Sequence, residues 1–350
     1  MLFSSFPFFP NRTAPEPLRF ECGLFLGYKD VGDIGETIYL CGVTNNTVME
    51  PILSIIIPCF GVKGLKYMDA CRQSLRNQTF QEGREVEIIV INNGCRGVGG
   101  ARNIGLSQAR GEYVMFVDAD DELLPYTLLA SELKRIQQQK PDMVSYSYVT
   151  TKKKLKMPGS IQYKVYNRGA KYVLHNNFLG TVWRHIIKRS LLEEKNIRFS
   201  EFRLQEDEIF ILRCYLEAKE TWISKWPIYF YRQVPYSNSH NQSQTFCDRR
   251  FWHAYDEMSD FIWDYKDFKK KDDPIKYRAM KRRLAFLTID QMKRYRTENP
   301  RIGDMETNIR YVADLGLLPL PLRFYGIKYL LAWPIVNLYA LYVYIITRGV

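Results

Sequence analysis

The sequence is short of the residues that build zinc sites and disulfide frameworks. Its 350 residues hold four histidines and seven cysteines. Cys22, Cys41, Cys59, Cys71, Cys95, Cys214 and Cys247 are scattered, odd in number and never spaced C-x-x-C. That pattern argues against a paired disulfide framework and a cysteine zinc site, and it favours reduced, partly buried thiols in a cytoplasmic protein. His175, His185 and His253 show no metal spacing, and His240, in the polar run SNSHNQS, reads more simply as solvated than as a metal ligand. The opening MLFSSFPFFPNRTAPEP lacks the basic lead and long apolar centre of a secretion signal. Zinc-finger spacing, RNA-binding signatures and internal repeats are absent too, so nucleic acid is not an expected partner.

What is present is core material. The chain is 46% hydrophobic and 14% aromatic, enough to bury a large core and too aromatic for disorder. Fifty Lys+Arg against 38 Asp+Glu leave a net charge of +12. Such an excess favours anionic partners, either phosphorylated small molecules or acidic lipid surfaces.

Three stretches differ in character. Residues 1–50 are unlike the remainder of the chain, and Met49 stands just before the first convincing strand, so a native start at Met49 is one expectation. Residues 51–245 open with strand–helix alternation. Leu53–Ile57, Val86–Ile91, Tyr113–Val117 and DMVSYSYV read as strands, the first two as continuous apolar runs buried on both faces. Ala101–Ala109 reads as a helix, and Pro125 fits the first turn of a helix carrying Leu128, Leu129, Leu133 and Ile136. This alternation predicts an α/β fold with a mostly parallel sheet flanked by helices. RLQEDEIFILRCYLEA and PIYFYR add a helix and a strand. Residues 246–350 read as a basic helical extension ending in an apolar tail. Leu330–Thr347 is uncharged and, as a helix, about 27 Å long. A bilayer core asks for about 20 apolar residues, and Pro334, Asn337 and four tyrosines make a poor span. Attachment to a membrane face is the leading expectation, with Arg323, Lys328 and Arg348 meeting anionic lipid; a marginal span and an internal packing helix are the alternatives.

The chemistry concentrates in GEYVMFVDADDELLP, where a buried strand runs into Asp118, Asp120, Asp121 and Glu122. In an extended chain alternate residues share a side, so Asp118 and Asp120 would point together beyond the strand's carboxyl end, where open α/β sheets collect ligands. Paired carboxylates there suit Mg²⁺ or Mn²⁺, hard cations that also hold substrate phosphates. The competing reading is a solvated acidic turn in which Asp121 or Glu122 caps the helix after Pro125.

The order of SIIIPCF, SLRNQTF, EIIVINNG, GGARNIGLSQARGEYVMFVDADDEL and EDEIF resembles the family-2 glycosyltransferases, inverting enzymes of GT-A (Rossmann-like) fold that build bacterial polysaccharides. The resemblance covers about residues 52–240. It implies that Asp118 touches the nucleotide ribose and metal, that Asp120 ligates the metal on the donor diphosphate, and that Asp207, beside Glu206, is the general base for the acceptor hydroxyl. It places Arg102 and Asn103 in support of the donor pocket, Pro58 and the Asn92–Asn93 pair at the nucleotide base, and Trp183 near the acceptor.

Three departures accompany it. Asn92 and Asn93 stand where the family usually has two aspartates, only GCRGVGG separates them from the Ala-Arg-Asn helix, and Gly61 replaces a usual asparagine. An asparagine carbonyl still accepts from a uracil N–H.

The resemblance therefore implies a hexosyltransferase moving sugar from a nucleotide sugar, a UDP-sugar foremost, to a saccharide or lipid-linked acceptor in polysaccharide or lipopolysaccharide assembly, at the cytoplasmic face of the inner membrane. The alternatives are an inactive family member acting as a membrane-bound scaffold and a sugar-phosphate nucleotidyltransferase. Arg232 and the lysines of TTKKKLK are further candidates for a diphosphate or lipid phosphate, against a solvated basic face.

Overall fold

The computed structural model describes residues 50–59, 61–92, 96–152, 157–233, 244–298, 302–323 and 325–347. Its strands are β1 (Leu53–Pro58), β2 (Val86–Ile91), β3 (Tyr113–Phe116), β4 (Glu122–Leu123), β5 (Met143–Val149), β6 (Lys164–Tyr166), β7 (His185–Lys188) and β8 (Thr221–Phe230). Its helices are α1 (Gly61–Arg76), α2 (Gly97–Gln108), α3 (Ala130–Gln139), α4 (Gly169–His175), α5 (Arg189–Glu194), α6 (Glu206–Glu217), α7 (Gln244–Asp264), α8 (Pro274–Glu298), α9 (Ile302–Asp314) and α10 (Ile327–Thr347).

One eight-stranded sheet runs in the order β2-β1-β3-β7-β5-β8-β4, with β6 paired to β8. β2, β1 and β3 are parallel, and β5 runs parallel to β8. β7 is antiparallel to both β3 and β5, and β4 and β6 are antiparallel to β8. The sheet is therefore mixed, and the expectation of a mostly parallel one is corrected. The cause is HIIK, a four-residue strand that follows the short 3-10 helix Val182–Arg184 and enters between β3 and β5, antiparallel to both.

Both faces of the sheet are covered. Ile56, Val114, Phe116 and Ile187 pack with α2, α4 and α6 on one face. Ile55, Ile57, Met115 and Ile186 pack with α1 and α3 on the other. That two-sided burial explains why these strands read as unbroken apolar runs. Gly105 permits the closest approach: a Cβ there would lie 2.3 Å from Ile56 Cγ2, so α2 can lie directly on β1 only with glycine at this position.

The helix expected from Pro125 begins instead at Ala130, because residues 122–123 join the sheet edge and Thr127 is held by the Gln78 side chain. Cys59, Cys71 and Cys214 are free and buried, and Cys247 is buried; Cys22, Cys41 and Cys95 lie outside the described residues.

The C-terminal helices lie against the sheet domain. α8 packs on α4, and its two buried arginines carry the join. Arg282 donates to the carbonyls of Val173 (3.0 Å) and Asn176 (2.9 Å) and to Asn177 Oδ1 (2.6 Å). Arg283 pairs with Glu208 and stacks on the Phe178 ring at 4.2 Å. These basic residues are spent inside the protein. No helix among the described residues is long and apolar enough to cross a membrane.

Candidate active site

The register sets the frame. Pro58 lies beside Ile91 and Ile56 beside Phe116, so the carboxyl ends of β1, β2 and β3 open on one edge. Pro58 is buried at the end of β1, Asn92 is exposed just past β2, and Asn93 lies outside the described residues.

Beyond β3 the chain does not stay extended. The Asp121 amide donates to the Asp118 carbonyl at 3.0 Å, closing a turn over residues 118–121. This corrects the picture of Asp118 and Asp120 on an extended strand. The turn keeps the alternation in another way: Ala119 and Asp121 are buried, while Asp118 and Asp120 stay half-buried.

Asp121 is the pin of this turn and caps no helix; α3 starts nine residues later. Its carboxylate, 1% exposed, accepts from the Tyr229 hydroxyl (2.8 Å) and the Arg232 amide (2.7 Å). Tyr229 Oη in turn accepts from the Asp118 amide at 3.1 Å. Burial, then the neighbouring Asp118 charge, pushes the Asp121 carboxyl up to about 8. Arg232 donates to the Asp120 carbonyl at 3.0 Å, pairs with Glu122 and lies over the Tyr67 ring. Lys152 also pairs with Glu122. Arg232 therefore braces the acidic turn, where the sequence left a phosphate contact and a solvated basic face both open; Lys153, Lys154 and Lys156 lie outside the described residues. Trp183 is buried in a stack with Tyr229 (4.3 Å) and Tyr231 (5.7 Å), behind the turn.

Arg102 joins the turn to the distant α6. Its buried guanidinium donates to Asp118 Oδ1 at 2.9 Å and to Glu206 Oε1 at 2.6 Å, over the face of Phe199 at 5.3 Å. Charge-assisted bonds of this kind are the strong ones, and the two carboxylates more than offset burial and hold the guanidinium protonated. Asn103, one residue on, clamps the Phe199 backbone with its side-chain amide, donating at 2.8 Å and accepting at 3.0 Å. It supports the site through this clamp. Gly99 lets α2 approach: a Cβ there would sit 2.2 Å from the Ser200 carbonyl oxygen.

Asp207 follows Glu206 in the first turn of α6. Its side chain is partly exposed. Burial, then the Glu206 charge, raises its carboxyl well above the ordinary aspartate range, with Arg102 opposing and Glu208 and Asp118 adding to the rise. The loop that presents it is unusual. Phe202 and Gln205 both take left-handed backbone (φ 62° and 67°), which costs a non-glycine residue about 1–2 kcal/mol. α7 and α8 hold it there: His253 Nδ1 accepts from the Leu204 amide (3.0 Å), and Gln291 donates to Gln205 Oε1 (2.7 Å). The His253 ring is thus an acceptor, and burial lowers its pKa. His185 is buried against Tyr215 Oη at 3.1 Å, His175 is exposed, and His240 lies outside the described residues.

The metal expectation can be weighed on donor chemistry. Asp118 and Asp120 offer oxygen ligands, and no group of three or more His, Cys, Asp or Glu among the described residues could hold a metal ion. Mg²⁺ characteristically takes one or two carboxylates and completes its shell with substrate phosphate and water. The pair fits that mode and not a closed protein cage. The buried Asp121, already satisfied by Tyr229 and Arg232, stands behind it.

A sheet of this form, with paired aspartates at the exit of β3 and an arginine linking Asp118 to a carboxylate helix, is the arrangement that the family-2 resemblance implies. The Glycosyl transferase family 2 model matches residues 95–194. Bacillus subtilis "Uncharacterized glycosyltransferase EpsJ" is 26% identical over 223 residues, covering 54% of this chain and 63% of that protein. The chain thus spans less than two thirds of EpsJ. Streptococcus pneumoniae glycosyltransferase GlyG is 25% identical over 226 residues, 53% of this chain and 72% of GlyG. Among solved structures, Staphylococcus aureus TarS 1-349 in complex with UDP superposes with a TM-score of 0.57 at 18% identity, covering 83% of this chain and 87% of that one. The TarS complex with UDP-GlcNAc gives 0.53 at 19% identity, over 76% and 81% of the two chains. Residues 95–194 are thus similar to the family-2 glycosyltransferases, and the fold is similar to that of the TarS structures.

Proposed function

We propose that the protein moves a sugar from a nucleotide sugar, a UDP-sugar in the first instance, to a hydroxyl of a saccharide acceptor with inversion at the anomeric carbon. One observation carries the reading. Arg102 draws the Asp118–Asp120 turn and the Glu206–Asp207 end of α6 to a single point, as donor and acceptor chemistry require. The similarity to TarS structures holding UDP and UDP-GlcNAc supports a uridine nucleotide.

In this reading Asp118 and Asp120 would hold Mg²⁺ or Mn²⁺ beside the donor diphosphate. The cation supplies, when bound, stabilisation of the leaving group's charge. Asp207 takes the acceptor proton as the acceptor oxygen bonds to the anomeric carbon. The carbon–phosphate-oxygen bond breaks on the opposite face, and its electrons leave with the nucleoside diphosphate. The acceptor is a lipid-linked saccharide of cell-surface polysaccharide or lipopolysaccharide assembly. The similarity to the poly(ribitol-phosphate) β-N-acetylglucosaminyltransferase TarS (24% identity over 212 residues) supports a surface-polymer acceptor.

The test is product analysis with UDP-, GDP- and dTDP-sugars and Mn²⁺. Nucleoside diphosphate release that Asp207→Asn abolishes is expected. Pyrophosphate release would point to a nucleotidyltransferase, and no release by folded protein would favour the scaffold.

A further inference from the structure

Nine of the sixteen exposed large hydrophobic side chains among the described residues lie between Leu322 and Ile345. They are ordered. Ile327, Leu331, Ile335, Leu338, Tyr342 and Ile345 follow one another at three- and four-residue steps and form one stripe along α10, about 27 Å long. Ile327 is 72% exposed and Leu331 66%. Single exposed apolar residues are ordinary, but a contiguous stripe marks an interaction surface.

The opposite face of α10 is fastened to the protein. Tyr329 is buried and donates to the Pro321 carbonyl at 2.7 Å. Trp333 donates to the Leu320 carbonyl at 2.9 Å. Asn337 brackets Leu320, accepting from its amide (2.7 Å) and donating to its carbonyl (3.1 Å). Trp333, Val336, Tyr339 and Ala340 pack on the core. The asparagine and aromatics that spoil a transmembrane helix therefore have a local purpose. They fasten one face of α10 to Leu320, Pro321 and the core and leave the stripe facing outward.

We propose that the α10 stripe docks the protein on an anionic lipid surface, as an interfacial helix that does not cross. The charge pattern selects this occupant. From Tyr329 to Thr347 the helix is uncharged, and exposed Lys328 and Arg323 stand at its amino end, where they reach anionic headgroups. A second copy of the chain would add its own net charge of +12 to an already basic protein. The cytoplasmic leaflet is the anionic one. This docking does not depend on the glycosyl-transfer reading.

Flotation of the full chain tests it, with vesicles of phosphatidylcholine alone and of two parts phosphatidylcholine to one of phosphatidylglycerol. Wild type should float with the anionic vesicles and lose binding as salt rises. At about 1 kcal/mol per cation, or about fivefold each, Arg323→Ala with Lys328→Ala should weaken binding about 25-fold. Leu331→Ser with Ile335→Ser should abolish it, and both double variants should unfold at the wild-type temperature because these side chains are exposed. Failure of the folded wild type to bind either vesicle would overturn the proposal. So would binding indifferent to both variants, or a solution dimer that Leu331→Ser with Ile335→Ser dissociates.

Discussion

Arg102→Met gives the sharpest energetic test of the site. The guanidinium is nearly buried, with 5% of its side chain exposed, and it holds Glu206 and Asp118 at 2.6 and 2.9 Å. Methionine keeps most of the stem's packing against Phe199 and removes only the charge. Breaking a buried ion pair from one side costs about 3–5 kcal/mol. The upper part applies to Glu206, which is buried; Asp118 has 26% of its side chain exposed and recovers some hydration. At about 2–4 °C per kcal/mol for a large domain, unfolding should move down by about 10 °C. The sign with pH follows from linkage. Without Arg102, burial raises the Glu206 carboxyl still further, so the folded variant binds a proton that the unfolded chain releases near neutrality. The deficit should be largest at pH 7 and shrink as pH falls through the raised value. Glu206→Gln, added to Arg102→Met, should recover much of the loss, because the stranded charge is gone. Urea unfolding at pH 7 and pH 5 measures both effects. A deficit under about 1 kcal/mol, or one independent of pH, would refute the claim that Arg102 neutralises this cluster.

Asp207→Asn should abolish transfer and raise the unfolding temperature at pH 7, since it removes a carboxylate that burial and Glu206 disfavour; the wild-type rate should fall on the acid side with a midpoint above the ordinary aspartate value of 3.8, read from a pH–rate profile. Gly99→Ala drives a methyl against the Ser200 carbonyl oxygen and should cost about 1–3 kcal/mol by chemical denaturation, with activity falling as α2 and the 199–200 segment separate.

The parts of this fold that can be read from the sequence are those where burial has one dominant direction. β1 and β3 are buried on both faces and read as apolar runs, and α6 carries enough turns to show its period. β7 escapes such a reading because HIIK is four residues long, and a run that short has no period to tell strand from helix. Its insertion makes a mixed sheet of an expected parallel one. Asp118 and Asp207 are marked by their ordered motifs. Their coupling through Arg102 and Glu206 depends on a fold that brings residues 102 and 206 together, which no local pattern encodes. The same is true of Asp121. Its neighbours in sequence suggest a helix cap, and its neighbours in space, Tyr229 and the Arg232 amide, make it the anchor of the turn. Arg282, Arg283 and His253 lie in a stretch that composition marks only as basic and aromatic, and they hold α4 and the loop that leads into Asp207.

The central claim is that the Asp118–Asp120 turn is a metal-dependent site for a nucleoside diphosphate. Calorimetric titration of UDP into the protein, with Mn²⁺ and then without it, tests that most directly. The account predicts binding that requires the cation and disappears in Asp120→Asn while the variant stays folded. UDP binding of equal strength with and without Mn²⁺, unchanged in Asp120→Asn, would contradict it.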